Sequence, residues 1–415
     1  MAMTAVQINS TYRTPLRTML HRVERRRKLE AFMLVLPLML FILITFVLPL
    51  GRMMFNAVHD DTLLTRMPRT TAALREWDGH DLPDEAVYAA LAGDLKEAGE
   101  RGTAATIGTR INYEFPGAIS QVTSSVGKAS KLTSGPYKAA LIEINALWAR
   151  NDIWSLLKRG TSAYTAYYLL RSMDFHYGPN SQIVPLPRDT AIFQDVFVRT
   201  IGISLAVTLT ALLLGFPLAY LLATIPLKTS NLLMIMVLLP LWTSVLVRTA
   251  AWVVLLQQRG VINEVLMALH FISSPADLIF NRVGTIVAMT HIQLPFVLLP
   301  IYSVMRTIPP SHLRAARSLG AGQFYAFWKI YFPQTLAGIA AGCLLSFIMC
   351  LGYYVTPALV GGPSDQMISY FVAAYINEDL NWGMASALGA ILLTATLLLY
   401  YVFGKLIGVD RIKMG

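Results

Sequence analysis

The sequence predicts an all-α polytopic membrane protein with six transmembrane helices and one mainly helical region outside the bilayer. Three observations carry this. Hydrophobic residues make up 55% of the 415 residues and charged residues only 14%, too apolar a balance for an ordinary soluble chain. Six apolar stretches reach the roughly 20 residues that a helix needs to cross a bilayer. Basic residues gather at the ends of these stretches, as they do where charge fixes membrane orientation.

Residues 1–30 form a basic tail. Arg13, Arg17, Arg22, Arg25, Arg26, Arg27 and Lys28 stand against Glu24 and Glu30, seven minus two for a net +5. The apolar run 31–50 follows. It is longer than a cleavable signal core and no small-residue cut site follows it, so it reads as a retained first transmembrane helix with a cytoplasmic N-terminus.

Residues 51–190 hold fifteen bases, fifteen acids and no spanning stretch. Val87, Ala90, Leu91 and Leu95 share one side of a helix within 82–102, stopped by Gly99 and Gly102. Leu141, Ile144, Leu147, Trp154 and Leu157 predict a second helix over 137–160, and residues 161–172 a third, short one. The turn-rich stretch 178–190 leads back to the membrane.

Five more membrane segments are expected at 197–225, 231–256, 283–305, 334–354 and 384–408, before a tail at 409–415. Six crossings put both termini in the cytoplasm. Lys228, Arg306, Arg314, Arg317, Lys329, Lys405, Arg411 and Lys413 then face inward. The outer loops 257–282 and 355–383 hold only Arg259 and Arg282, against Glu264, Asp277, Asp365, Glu378 and Asp379. This asymmetry also places 51–190 outside. Pro217, Pro240, Pro295 and Pro300 kink the spans, which suits either a moving path or static packing.

Several function classes drop out. The net charge of +10 sits mostly beside apolar segments, so it marks topology and not a nucleic-acid footprint. Cys343 and Cys350, seven apart on one helix, share a face but lie too far apart to bridge. The nearest string to a phosphate loop, Gly127-Lys128-Ala129, lacks the upstream glycine and the final Ser/Thr. Seven scattered histidines give no metal-ligand spacing. His291 and Gln293 read as hydrogen-bonding partners between helices. No catalytic residue and no metal site is expected.

The stretch "HLRAARSLGAGQFYAFWKIYFPQTLAG", residues 312–338, is short, cationic and aromatic. Ser311 is expected to cap a first helix that Gly320 ends. Leu313, Ala316 and Leu319 give it an apolar stripe. Gly322–Pro333 reads as a second helix, ended by Pro333, with Phe324, Phe327, Trp328 and Tyr331 in a stripe. Such a stripe needs either lipid headgroups or a protein partner.

Its spacing resembles the "EAA" loop of ABC importer permeases: Ala315-Ala316, three residues, Gly320, nine residues, Ile330, two residues, Pro333. Arg314 stands at the usual glutamate, and Gly322 where a capping serine is common. Residues 239–263, 353–371 and 381–390 resemble segments of spermidine/putrescine-type permeases, so the resemblance spans about 195–410. The larger 51–190 insertion departs from the pattern.

The resemblance implies the type I ABC importer permease fold, with a permease core over 191–408 and a coupling loop at 306–333 that docks in a groove of an ATPase subunit. Leu313, Arg314, Ala315, Ala316, Leu319, Gly320, Phe324, Phe327, Ile330 and Pro333 would form that surface. It implies two copies of the ATPase, which carry ATP and Mg while this chain binds no cofactor. It also implies a second homologous permease, a periplasmic binding protein and a bacterial inner-membrane location. The implied cargo is a polyamine, with an opine, another amino compound or a phosphonate as alternatives.

A stand-alone secondary transporter or channel is the other class of function, and the near absence of acids within the spans opposes it. A receptor or scaffold built on the outer region is a further alternative. At the outer mouth, Trp242, Tyr353, Tyr354, Asp365, Glu378, Asp379 and Trp382 are candidates to meet a cationic solute. The bland reading is an aromatic belt with solvated acids. Arg248 either snorkels to the interface or closes an outer gate with Asp365 or Glu378.

Overall fold

The computed structural model describes residues 16–179 and 181–407. Arg13 and the 409–415 tail, with Arg411 and Lys413, lie outside the described residues. The chain divides into two units after Phe55.

The first unit is a continuous helical stretch, basic at its start and apolar from residue 31 on: α1 (Leu16–Ile42), a π-helical turn (Leu43–Val47) and α2 (Leu48–Asn56), whose last residue opens the second unit. Its membrane span, Glu24–Asn56, is longer than the expected 31–50. The wide turn has a cause in the sequence. Pro49 has no amide to donate, and just before it the Leu48 amide reaches back to the Leu43 carbonyl.

The second unit begins with the region expected outside the bilayer: α3 (Thr62–Arg66), α4 (Pro68–Ala73), α5 (Glu85–Glu100), α6 (Ala104–Asn112), α7 (Ala118–Ala129), α8 (Tyr137–Ile144), α9 (Asn151–Arg159) and α10 (Tyr167–Ser172). They close around Trp148 and Trp154, both fully buried. Each indole finds an acceptor: Trp148 Nε1 donates to Ser125 Oγ at 3.0 Å and Trp154 Nε1 to the Trp148 carbonyl at 2.9 Å. Val87, Leu91 and Leu95 face this core as their spacing predicts.

Residues 137–160 are not one helix. Asn145 adopts an extended backbone and its side chain accepts from the Leu147 amide, so the chain turns and restarts as α9. The return stretch is also more ordered than expected. It pairs β1 (Phe175–Tyr177) with β2 (Ile183–Pro185), antiparallel, His176 opposite Val184.

The return is tied into the membrane core by Asp174. Its carboxylate accepts from the amides of Ile192, Phe193 and Gln194 at 3.0, 3.1 and 2.7 Å, capping the first turn of α11 (Phe193–Thr224). The core continues with α12 (Leu227–Leu238), α13 (Val245–Leu256), α14 (Val261–Ala268), α15 (Arg282–Thr307), α16 (Pro310–Ser318), α17 (Gln323–Ala326), α18 (Phe332–Leu351), α19 (Val355–Val360), α20 (Ile368–Asn377) and α21 (Trp382–Ile407).

Helix α15 packs against both α11 and α18, which also meet each other. The second contact is close because it is made by glycine. A Cβ on Gly342 would stand 2.7 Å from the Val297 carbonyl oxygen, so small residues let the backbones approach as they do in membrane bundles.

Six helices among the described residues are long and apolar enough to cross a membrane: Glu24–Asn56, Phe193–Thr224, Val245–Ala268, Arg282–Thr307, Gln323–Leu351 and Trp382–Lys405. The expected span 231–256 is corrected. It breaks between α12 and α13, at a 3₁₀ turn (Leu239–Trp242) followed by extended Thr243 and Ser244. Pro240 removes an amide from the ladder at that point.

Candidate functional site

Helix α16 starts at Pro310, whose ring pre-sets the first helical turn. Pro309 is the capping residue and no side chain caps the end, so the expected role of Ser311 is not realised. The other end follows the glycine. Gly320 has φ +88°; its amide donates to the Arg317 carbonyl at 3.0 Å and the Ala321 amide to the Ala316 carbonyl at 3.0 Å. This pair of bonds is the Schellman arrangement, and it needs a residue at ease with positive φ.

Pro333 does not end the second helix. Helix α17 runs through a π-helical turn (Phe327–Tyr331) directly into α18, where Pro333 sits in the first turn. A proline early in a helix forfeits only an amide that is free anyway, and the widened turn absorbs the rest. His312 Nδ1 lies 3.0 Å from Gln334 Oε1, fastening α16 to the base of α18.

The aromatic stripe divides. Phe327 and Tyr331 turn inward against Tyr220 of α11, with ring centroids 5.4 and 5.5 Å apart. Leu319 at 89% and Phe324 at 78% stay exposed, with Tyr325 and Trp328 beside them. Arg314, Ala315, Gly320 and Pro333 are exposed, and Leu313, Ala316 and Ile330 half-buried. A cavity of about 380 Å³ opens between Tyr220, Leu313, Arg317, Gln323, Phe324 and Phe327. Residues 306–333 contain four bases and no acid. The result is an apolar, cationic, outward-facing ledge fixed to two membrane helices.

The outer-mouth residues do not converge as the sequence reading expected. Asp365 is 2% exposed and accepts from Arg282 Nε at 3.0 Å, so it is neither a solvated mouth acid nor a partner of Arg248. Arg199 Nη1 donates to the neighbouring Ser364 carbonyl at 2.6 Å. Glu378 and Asp379 are exposed at the end of α20, with no salt bridge among the described residues. Trp382 and Tyr354 are exposed and Tyr353 half-buried.

Arg248 neither snorkels nor forms the proposed gate. It is 8% exposed. Its Nη2 donates to the Pro240 carbonyl and, at 3.0 Å, to the Thr243 carbonyl, and its Nε to Thr243 Oγ1 at 3.4 Å. These backbone acceptors exist only because the helix is broken, and sequence spacing gives no sign of them. His291 does link helices, accepting from Trp252 Nε1 at 3.1 Å, and Gln293 is buried on the same helix. The bond between Thr249 and Thr356, 2.9 Å between hydroxyls, was not foreseen.

Six crossing-length helices and an exposed ledge between two of them define a polytopic membrane protein. Residues 194–409, just over half of the chain, match the family described as "Binding-protein-dependent transport system inner membrane component", and the chain belongs to that family. It is a permease of an ABC importer.

Among its relatives is the spermidine/putrescine transport system permease protein PotB of Escherichia coli (strain K12). It is 31% identical over 212 residues, covering 51% of this chain and 77% of that protein. The PotB of Haemophilus influenzae is 31% identical over 225 residues, covering 52% and 79%. The inner membrane ABC transporter permease protein YdcU of Escherichia coli (strain K12) is 33% identical over 232 residues, covering 52% and 72%. The crystal structure of a bacterial alginate ABC transporter, in complex with an alginate pentasaccharide-bound periplasmic protein, aligns over 54% of this chain and 80% of that chain. Its TM-score is 0.42 at 18% identity. The outer region up to residue 190 lies outside the family match.

Proposed function

We propose that this permease imports a polyamine of the spermidine/putrescine class, received from a periplasmic binding protein, by alternating access. The observation that carries this reading is the 31% identity to PotB over most of that protein's length. The exposed Trp382 with Glu378 and Asp379 is chemically compatible with an ammonium cargo.

In this reading the chain performs no catalysis. Two copies of an ATPase subunit bind ATP and Mg, and each docks on a permease through a ledge like that of residues 306–333. A second homologous permease completes the channel. The protein sits in the bacterial inner membrane with both termini cytoplasmic and the 51–190 region in the periplasm, where it extends the docking face for the binding protein.

The test is reconstitution of the two permeases and the ATPase in proteoliposomes with the binding protein outside. Spermidine or putrescine should enter only when ATP is present inside. Uptake that proceeds without the ATPase would favour a stand-alone carrier, and ATP-driven uptake of another solute alone would remove the polyamine.

A further inference from the structure

The break at Pro240–Ser244 is not at a membrane edge. Helix α13, which follows it, is bonded through Trp252 to His291, and His291 lies nine residues beyond Arg282, the first residue of α15. At 1.5 Å per residue that is about 14 Å along the helix. The break precedes Trp252 by eight to twelve residues, on the side of α12. The twelve residues of α12 reach only about 18 Å from Leu227, short of the roughly 30 Å hydrocarbon core, so the break too falls within it. Thr243 (φ −90°, ψ 148°) and Ser244 (φ −57°, ψ 142°) are extended there, where a helix would pair their backbone groups.

Backbone of this kind does not face lipid. It persists at membrane depth only when buried in protein or when it lines a water-filled cavity. Yet Trp242, 78% exposed, Thr243 and Ser244 are open on the surface of this chain. Behind them Arg248 is 8% exposed and spends its donors on the Pro240 carbonyl, the Thr243 carbonyl and the Thr243 hydroxyl. The Thr243 carbonyl is met from the buried side by a cation with no carboxylate partner among the described residues, and the Pro240 carbonyl by that cation together with the Thr243 amide and hydroxyl. The open side keeps the Ser244 hydroxyl and the Trp242 ring.

We propose that Pro240–Ser244 is a wetted wall of the solute path, that Trp242 and Ser244 meet the passing solute, and that Arg248 is the positioning residue holding the break open. This rests on the permease reading. Hydroxyl oxygen and an indole face suit a solute carrying ammonium groups. Losing the guanidinium would strip the Thr243 carbonyl of its side-chain donor and leave the Pro240 carbonyl to the Thr243 amide and hydroxyl alone, so the segment would re-close toward helix or collapse.

The test uses the full transporter, with its ATPase and binding protein, in nanodiscs. In a Cys343→Ala, Cys350→Ala background, Ser244→Cys and Leu213→Cys are each reacted with a charged, water-soluble thiol reagent. Leu213 is 72% exposed on α11 and serves as the apolar comparison. A thiol reacts through its thiolate, which needs water, so Ser244→Cys is expected to label at least about tenfold faster than Leu213→Cys in one nucleotide state. A smaller ratio in every state overturns the proposal and means that the second permease covers the break.

Arg248→Met should insert and keep its ATPase, yet lower the solute moved per ATP by about tenfold, with Arg248→Lys restoring part of it. Unchanged coupling in Arg248→Met also overturns the proposal. If the unmodified transporter recruits no ATPase and moves no solute, the permease reading fails first, and the labelling ratio still judges whether the break is wet.

Discussion

Arg282 Nε donates to Asp365 Oδ1 at 3.0 Å, joining the first residue of α15 to the turn that precedes α20. Asp365 is 2% exposed while Arg282 is more than half exposed. The carboxylate is therefore the committed partner. Removing the arginine leaves the buried carboxylate with only the Gly362 amide, at 3.3 Å, whereas removing the acid leaves a cation that water can solvate. Arg282→Ala is expected to lower stability by about 1–2 kcal/mol after discounting for the exposed arginine, and Asp365→Asn by less. Thermal unfolding of the purified permease in detergent reads the order, and a larger loss for Asp365→Asn would contradict it.

The ledge makes a second prediction. Nothing lies within 4 Å of a Cβ built on Gly320, so a side chain meets no clash within this chain. A substitution there costs conformational energy, about 1 kcal/mol for a non-glycine residue at positive φ, and places bulk on the outward face. Gly320→Leu should insert normally but lose ATPase association and uptake. Normal uptake with full association would remove the ledge from the coupling role.

Charge makes a third. With four bases and no acid in residues 306–333, a groove that receives the ledge must be acidic or neutral at its rim. Arg314→Glu with Arg317→Glu should weaken ATPase binding more than the two alanine changes, and the gap should narrow at high salt, where exposed charges are screened. Tighter binding by the glutamate pair would mean a basic groove. Binding unaffected by either pair would leave the arginines to the lipid headgroups.

How much of this was legible in the sequence differs from element to element. The Schellman turn at Gly320 was readable because only glycine sits easily at positive φ between two helical patterns. The crossings other than 231–256 were readable because length in hydrocarbon is fixed by bilayer thickness. The break at Pro240–Ser244 was not, because Leu, Trp and Val continue the apolar run through it, and only Pro240 marks the place. Arg248 was misread for a related reason: its partners are carbonyls freed by that break, and backbone groups carry no letter in a sequence. Asp365 looked like a mouth acid because Arg282, 83 residues away, meets it only through the fold. Asn145 sits in a helical pattern, and its local bond to Leu147 outweighed that pattern.

A fourth prediction concerns pH and the outer region. Burial works to raise the Asp60 carboxyl. The Arg110 guanidinium and hydrogen bonds from Thr62 and Tyr168 together outweigh it and hold the carboxyl below the usual carboxylate range. A carboxyl depressed in the folded state contributes stability that is present above its unfolded pKa, about 3.9, and is lost as pH falls through the lower folded value. Asp60→Asn should therefore weaken the outer region at neutral pH and flatten its loss of stability below about pH 4. Hydrogen exchange of the Trp148–Trp154 core against pH reads this, and an unchanged acid limb would contradict it.

A fifth concerns the mouth. With Asp365 neutralised by Arg282, only Glu378 and Asp379 remain of the three candidate acids to attract a cation there. Replacing both by their amides should slow uptake of a polyamine more at low salt than at high salt. Asp365→Asn should not show that salt dependence, and a salt-dependent defect in it would mean that the Arg282 pair opens during transport.

The central claim, that this chain is the polyamine permease of an ATP-driven importer, is tested most directly by uptake of labelled spermidine into proteoliposomes. These would contain the chain with its second permease and ATPase, with the binding protein supplied outside. Accumulation is expected to require ATP inside and binding protein outside together and to be abolished by Gly320→Leu. Accumulation indifferent to ATP, or ATP- and binding-protein-dependent turnover that never moves spermidine or putrescine, would contradict it.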